Sequence, residues 1–371
     1  MDFLNFGSVL LEVAKPSGMW EFFIFGLESL VKNYGLTIIL ITLAIKLIML
    51  PFDVFNKYIN KRNSAKMAVI QPELEKVQKR YGSNKDVLNQ KTMEVYKKHN
   101  YNVMGSCFAM LFNMIMTMAI FFTLFSGLNK IAAYKVYTEY TTLQQTYAEA
   151  VGGENAQLIK VEGSDKVQLK LSDGSIVDLD DAKITVANQE VVKTYGEIKE
   201  SFLWIKNIWR PDTSTSVLLS YKDFVSTAKL DDADITDTFN ESIYNQVINP
   251  IKADSKYSGW NGYYILIILS AAITYLSNQV NTWIGRAKAK KQGKEYVDAL
   301  GQNKIMIYLM PAIMALFTLF YNAMFAIYIV TGALFGLVTS PLTSIIVDKF
   351  FDRASKKESE KVIVSYSRKN N

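Results

Sequence analysis

Lys46 places a single ammonium group inside the apolar stretch ITLAIKLIMLPF, residues 41–52. A charged side chain near the centre of a bilayer costs about 2.5 to 3.5 kcal/mol even on insertion scales. Two interpretations remain open. The lysine stem can reach water beyond Pro51, about 7.5 Å away along a helix. Alternatively, the ammonium charges a water-filled cavity that attracts acidic and polar groups.

Polar residues recur at helical spacing along four apolar stretches, and Thr42 precedes Lys46 by four residues on the same face. One such stripe is typical of hydrogen bonds between helices, each worth ~0.6 to 2 kcal/mol. Four stripes and an ammonium, with no acidic residue in the apolar stretches to neutralise it, predict a wet, net-positive cavity. The other stripes contain Ser106, Asn113 and Thr117; Thr274, Asn278, Asn281 and Thr282; and Tyr328, Thr331 and Thr339.

Residues of the common catalytic and metal sites are scarce. The chain has one histidine, His99, and one cysteine, Cys107. A serine protease triad, a His-rich metal site and a disulfide framework are therefore poorly supported. Gly-rich phosphate-binding loops are absent. The sequence predicts no enzymatic activity, cofactor or metal.

Long apolar helices must position the polar stripes, because each charge-free stretch approaches or exceeds the roughly 20 residues of a membrane span. The stretch 305–347 is too long for one span and divides at the polar pair Tyr321 and Asn322. A first span that stopped before Lys46 would be too short to cross, so it must include the lysine. The predicted spans are 35–56, 103–128, 261–285, 305–321 and 323–347.

The distribution of basic residues predicts the orientation. Lys and Arg outnumber Asp and Glu in 57–102, in 286–304 and in the tail 348–371, which we therefore place in the cytoplasm. Segment 129–260 is acidic and belongs outside, as does the N-terminus. No aromatic-spaced basic cluster favours sequence-specific nucleic-acid binding.

Three segments outside the spans have patterns of their own. Residues 1–34 predict an amphipathic helix on the outer membrane surface. Residues 57–102 predict a helical hairpin, whose basic faces suit anionic lipid head groups or ribosomal RNA or are simply solvated. Residues 156–186 alternate apolar and polar side chains, which predicts a small β-containing insertion at about 150–200 with irregular flanks.

Several motifs resemble those of the YidC/Oxa/Alb membrane protein insertases. AIKLIMLPF is similar to the first core span of that family, with Lys46 in place of its arginine and Pro51 in place of its proline. KMAVIQPELEKVQKRYG resembles the start of the family's cytoplasmic hairpin. YKKHNYNVMGSCFAMLFNM resembles the start of its second core span, and SFLWIKNIWRPDT the short external helix that follows. The last three spans of the family resemble two further segments, WNGYYILIILSAAITYLSNQ and MPAIMALFTLFYNAMFAIYIVTG.

The chain also departs from the family pattern. Besides the lysine, Asn113 stands in place of a glutamine and Ile329 in place of a tryptophan. The external insertion is unusually large. Where the family often has proline, this chain has Val103, Ala109 and Ile115.

The resemblance implies an all-α polytopic membrane protein, with five transmembrane helices around a hydrophilic groove, a cytoplasmic helical hairpin and a small β-containing extracellular insertion. In this family the groove is open to cytoplasm and lipid and closed outside. It receives the polar external segment of an incoming membrane protein. We therefore expect a membrane protein insertase and chaperone in the bacterial plasma membrane, with a groove formed by Lys46, Thr42, Asn113, Thr117, Thr274, Asn278, Tyr328 and Thr331.

Nascent membrane proteins and the Sec translocon are the partners that the resemblance implies, and ribosome binding by the tail stays open. An alternative function is a small-solute or anion transporter or channel with a positive midplane site. An internal repeat of broken helices would favour that alternative, and none is visible in the sequence. A chaperone that only assists folding of spans already inserted is compatible with the same fold.

Overall fold

The computed structural model describes residues 15–99, 101, 103–291 and 304–369. Within these ranges the chain forms ten α-helices and three short β-strands. In chain order they are α1 (Met19–Val31), α2 (Tyr34–Tyr81), α3 (Lys85–Lys98), α4 (Val103–Gly152), β1 (Gln157–Lys160), β2 (Val167–Lys170), β3 (Ile176–Asp178), α5 (Asp181–Ile198), α6 (Tyr221–Ala228), α7 (Glu241–Ala253), α8 (Ile265–Lys291), α9 (Lys304–Phe320) and α10 (Ala323–Lys369).

Four helices in the described part of the chain are long and apolar enough to cross a membrane. They confirm the helical, multi-span class predicted from the sequence. The predicted span 305–321 falls on α9, whose apolar stretch Pro311–Phe320 is shorter than the other four. The four are α2, α4 over Met114–Gly152, α8, and α10 over Ala323–Ala354.

The contacts between Cα atoms divide the chain into two compact units. The first unit has an aromatic core, in which the ring of Tyr140 lies 4.8 Å from Phe224 and 4.9 Å from Tyr244. Unit 1 comprises the chain up to Ile41, Thr123–Leu269 and Ala315–Ile329, and unit 2 comprises Thr42–Phe122, Ser270–Met314 and the chain from Val330.

Helix α2 continues without a break through Pro51 and Pro72 to Tyr81. Residues 82–84 then reverse the chain into α3. The Asn84 side chain accepts a hydrogen bond from the Val87 N–H, 3.3 Å away, and so caps the start of α3.

Ionic and apolar contacts join α2 and α3. Ile70 of α2 and Val95 of α3 are 1% and 5% exposed. The Glu73 carboxylate accepts hydrogen bonds from Lys98 Nζ and His99 Nε2, each 2.7 Å long. These bonds, that of Lys98 first, hold the pKa of Glu73 below its ordinary value. The only histidine in the chain, at the end of α3, therefore helps to hold α3 against α2.

The three strands form an antiparallel sheet in the order β1-β2-β3. Leu158 pairs with Leu169 across β1 and β2, and both are 1% exposed. The two connections contain Gly163 and Gly174 at φ +72° and +84°, a backbone conformation that glycine adopts without a Cβ clash. The period-2 alternation and the glycines were sufficient to predict these strands.

The alternation was expected to continue to Val186, and this was wrong from Asp181 onward, where the chain forms α5. The Asp180 side chain accepts a hydrogen bond from the Ala182 N–H at 2.9 Å, which caps the helix. Val191 and Tyr195, spaced by one helical turn, are fully buried. Burial of this face selects the helix over a strand.

The flanks of the sheet are more regular than the sequence indicated. Helix α4 extends to Gly152, well past residue 128, and α6 and α7 follow later in the segment. At the start of α7 the Asn240 side chain accepts hydrogen bonds from the N–H groups of Ser242 and Ile243. Val247 and Ile251 are fully buried on the same face of α7.

Residues 201–213 form turns and not the short external helix that the resemblance implies. Leu203 has φ +53°, which a right-handed helix excludes. The buried side chain of Asn261 satisfies both backbone groups of Asn207: the Asn207 N–H donates to Asn261 Oδ1, and Asn261 Nδ2 donates to the Asn207 carbonyl, both at 2.8 Å. These side-chain bonds replace helical ones.

Candidate functional site

One face of α2 carries charged residues of unit 2. Asp53 and Lys57 follow Lys46 by seven and eleven residues. At about 100° per residue, all three side chains leave the helix within roughly 20° of one direction. Thr42 and Asn60 extend the same stripe at its two ends. The stripe therefore continues from the apolar part of α2 past its proline.

Lys46 is half-buried and lies against α10. Its Cε would be 3.2 Å from a Cβ added at Gly332, and its Nζ would be 3.9 Å away. The absent side chain of Gly332 therefore makes room for the lysine stem. Among the described residues, no carboxylate oxygen lies within the 4.0 Å of an ion pair with Lys46.

The expectation that no acidic residue accompanies Lys46 was wrong. Asp53, inside the predicted first span, interacts electrostatically with the ammonium groups of both Lys46 and Lys57. Its position follows from the seven-residue spacing, which amounts to about two helical turns. Two positive charges thus share one negative charge, and this part of the site keeps a net positive charge.

Lys57 is held by neutral oxygen atoms of α10. Its Nζ donates hydrogen bonds to the Ser340 carbonyl at 2.9 Å, to Ser340 Oγ at 2.7 Å and to Thr343 Oγ1 at 2.7 Å. Within the described part of the chain, none of its neighbours forms an ion pair with it. The ammonium is therefore fixed in place without being neutralised.

Asp53 and Lys57 line a cavity of about 450 Å³ within unit 2. This volume falls in the range of about 300–1,000 Å³ that ligand-binding clefts occupy. The lining mixes charged, amide and hydroxyl groups with a few apolar residues, so water is the natural filling. The other lining residues are Leu50, Asn56, Asn60, Thr274, Ser277, Ala333, Gly336, Thr339, Ser340 and Thr343.

One turn beyond Lys57, an ionic cluster joins three helices of unit 2. Asp348 of α10 accepts hydrogen bonds from Lys61 of α2 at 2.5 Å and from Lys288 of α8. Burial opposes ionisation of Asp348, but the hydrogen bonds from Lys288 and Lys61 outweigh it and hold the pKa of Asp348 below its ordinary value. Lys61 differs from Lys57 in that it forms an ion pair, whose carboxylate it shares with Lys288.

Four of the predicted groove residues lie in unit 2 with described side chains that face other helices or the cavity. Lys46 and the fully buried Thr42 lie on the α2 stripe. Thr274 lines the cavity, and Thr331 is 8% exposed beside Gly332.

Two of the other four predicted residues do not line this cavity. Thr117 is exposed on α4. Tyr328 belongs to unit 1, where its ring stacks on Phe325 with centroids 6.1 Å apart. The side chains of Asn113 and Asn278 lie outside the described residues.

The sequence analysis did not predict Asp53, Lys57 and Asn60 as site residues. It followed the polar stripe of α2 only within the apolar stretch and not beyond it. A signal was available. The spacing of 4, 7, 4 and 3 from Thr42 through Lys46, Asp53 and Lys57 to Asn60 keeps one helical face. Ser340 and Thr343 had no comparable signal, since their role depends on which helix lies beside α2.

No group of three or more His, Cys, Asp or Glu side chains that could hold a metal ion occurs in the described ranges.

Comparison with known proteins places the chain in a family. The sequence profile of the family described as 60Kd inner membrane protein matches residues 26–349, which is most of the chain. The chain belongs to this family. The resemblance drawn from the motifs is thereby confirmed.

Curated members of the family that match this chain are named membrane protein insertase YidC. The protein of Fusobacterium nucleatum is 37% identical over 101 residues, 27% of this chain and 47% of that protein. The protein of Clostridium perfringens is 36% identical over 108 residues, 29% and 42% of the two chains. The protein of Anaeromyxobacter dehalogenans is 32% identical over 102 residues, 28% and 17% of the two chains. The chain thus matches less than half the length of each of these relatives.

Family membership and the apolar helices together identify a multi-pass membrane protein of the bacterial membrane.

Proposed function

We propose that this protein inserts integral membrane proteins into the bacterial plasma membrane and helps them fold, through a positively charged hydrophilic groove. The observation that carries the proposal is the polar cavity of about 450 Å³ in unit 2, which has Asp53 and Lys57 in its lining. Lys46 interacts with the same carboxylate, so two ammonium groups accompany one acid. The name of the matched relatives supports the same function.

The physical task of such a groove is to lower one barrier. Moving a polar segment through hydrocarbon leaves its backbone groups without hydrogen bonds, at a cost of several kcal/mol for each group. A water-filled cavity with hydroxyl and amide groups supplies partners for part of the way. The ammonium groups attract acidic segments into it. The apolar span of the client then enters lipid, which releases about 25 cal/mol for each Å² removed from water, so nucleotide hydrolysis is not required.

The five-span topology is part of the proposal. The spans 35–56, 103–128, 261–285, 305–321 and 323–347 have the N-terminus and segment 129–260 outside, and the hairpin 57–102 and the tail in the cytoplasm. The basic excess of the hairpin and the tail supports this orientation.

Single cysteines test that topology. After Cys107→Ser, we expect Asp165→Cys to be labelled by a membrane-impermeant thiol reagent on intact cells and Lys85→Cys to be protected. Labelling of residue 85 without residue 165 would show that the orientation is inverted.

The partners that we propose are nascent membrane proteins, with the Sec translocon for some of them. The hairpin is the proposed surface for anionic lipid head groups or ribosomes, because Lys and Arg exceed Asp and Glu along it. No sequence-specific nucleic-acid binding is expected.

Depletion of the protein followed by quantitative proteomics of the membrane fraction tests the proposed function. We expect a subset of integral membrane proteins to fall, with soluble proteins unchanged. An unchanged membrane proteome together with altered anion flux into vesicles would favour a transporter or channel instead.

A further inference from the structure

Lys57 supplies the cavity lining with an ammonium group that the family resemblance does not imply. Lys57 and Lys61 lie one helical turn apart on α2. Lys61 is paired with Asp348, whereas the hydrogen bonds of Lys57 all end on neutral oxygen atoms. Lys57 lines the cavity and Lys61 does not. The two lysines therefore differ in whether their charge is available to a molecule in the cavity.

We propose that Lys57 is a specificity-determining residue, which acts with Lys46 as a two-step ladder for translocated segments that carry two spaced carboxylates. The inference rests on the proposed insertase function and names the class of client that this cavity favours. Lys57 provides the step within the lined cavity, and Lys46 the next step along α2.

The distance between the two steps defines the preferred client. Lys57 follows Lys46 by eleven residues on one face of α2. At about 1.5 Å per residue the two side chains start about 16 Å apart along the axis. An extended client segment covers about 3.3 Å per residue. Side chains an even number of residues apart share one face of an extended segment, so two carboxylates separated by about six residues can face both ammonium groups at once.

The neutral acceptors on α10 fix the position of the Lys57 ammonium group. Ser340 and Thr343 hold the ammonium with three hydrogen bonds and add no negative charge. Among the described residues that line the cavity, Asp53 is the one carboxylate, and it interacts with Lys46 as well. Without a client, the site has two ammonium groups and one carboxylate. A client carboxylate thus neutralises the remaining positive charge.

The test uses three versions of one single-span client in vesicles containing the full-length protein. The translocated segment carries two aspartates six residues apart, two adjacent aspartates, or asparagines at the same positions. Insertion is measured as the fraction of the segment protected from protease. The variants are Lys57→Gln, Lys57→Arg and Thr343→Ala, with Lys61→Gln as the matched loss of one charge.

We expect wild type to insert the spaced client best. Lys57→Gln should reduce insertion of the spaced client about threefold, the size of effect that one partly exposed charge pair supplies, and leave the asparagine client unchanged. Lys57→Arg should restore the preference, and Lys61→Gln should retain it. Thr343→Ala keeps the charge but removes one of its three hydrogen bonds. It should still favour both acidic clients over the asparagine client, with a weaker preference for the spaced one.

Two results would overturn the inference. One is equal insertion of the spaced and adjacent clients by wild type. The other is equal loss of all three clients in Lys57→Gln, with normal amounts of the variant in the vesicles. Failure of wild type to insert any client above protein-free vesicles would instead overturn the proposed function itself.

Discussion

The stem of Lys46 passes over Gly332: a Cβ added to that glycine would lie 3.2 Å from the lysine Cε. The two residues come from α2 and α10 of the same unit. The lysine therefore depends on the lack of a side chain opposite it, as well as on its own helix, for its place in the site.

Gly332→Ala should be tolerated and Gly332→Val should not. The alanine methyl group requires the flexible lysine to move by only a few tenths of an ångström. The branched valine side chain forces it into another rotamer, and so moves the charge. We expect insertion of acidic clients by Gly332→Val to fall nearly as far as in Lys46→Ser, measured by protease protection.

A double mutant separates this effect from general damage to α10. If Gly332→Val acts by displacing the lysine, then adding it to Lys46→Ser should cause little further loss. Additive losses would mean that the valine disturbs packing unrelated to the charge.

The loop that precedes α8 requires a glycine at position 262. The Leu266 N–H at the start of α8 donates to Asp212 Oδ2 at 3.0 Å. A Cβ on Gly262 would lie 1.9 Å from Asp212 Oδ1. Gly262→Ala should therefore break this cap and lower the free energy of unfolding by about 1 to 3 kcal/mol.

Thermal unfolding in detergent, followed by tryptophan fluorescence, measures this loss. Gly26→Ala in α1 is the matched control, because a Cβ there has no atom within 4 Å. Equal melting temperatures for Gly262→Ala and wild type would show that the loop rearranges without cost.

Glu139 predicts how the stability of unit 1 depends on pH. Burial first, and the negative charge of Glu200 second, raise the pKa of its carboxyl to about 8. A carboxyl group with a raised pKa contributes its full stability below its unfolded pKa, about 4.5, and loses that contribution as the pH rises towards about 8. Glu139→Gln, which cannot ionise, should melt at a higher temperature than wild type at pH 8.

The stabilising effect of Glu139→Gln should grow between about pH 5 and pH 8 and be absent at pH 4. Glu162→Gln, at an exposed position, should show no such trend. A constant difference across this range would mean that Glu139 does not change its protonation state there.

The sequence predicted the elements whose signal is local. Charge-free length marked the apolar helices, and the polar pair at 321 and 322 marked the break between α9 and α10. The alternation with Gly163 and Gly174 marked the sheet. These features depend on solvent and backbone sterics, so no knowledge of tertiary neighbours was necessary.

Elements that depend on tertiary contacts were harder to predict from the sequence. The turns at 201–213 are stabilised by the buried side chain of Asn261, which bonds to the backbone of Asn207 from a distant part of the chain. Part of the candidate site was missed for the same reason, since the hydrogen bonds of Lys57 depend on α10 lying beside α2. Asp53 was different, because its helical spacing from Lys46 was visible in the sequence and was not followed far enough.

Replacement of Lys46 tests the central claim, that this lysine charges a wet groove for translocated segments, most directly. The measurement is protease protection of paired clients, one with an acidic and one with a neutral translocated segment, in vesicles holding wild type, Lys46→Ser or Lys46→Arg. We expect Lys46→Ser to impair the acidic client and largely spare the neutral one, and Lys46→Arg to resemble wild type, because a long-range charge is retained. Equal insertion of both clients by all three proteins would contradict the claim and leave Lys46 as a lysine whose stem merely reaches the membrane surface.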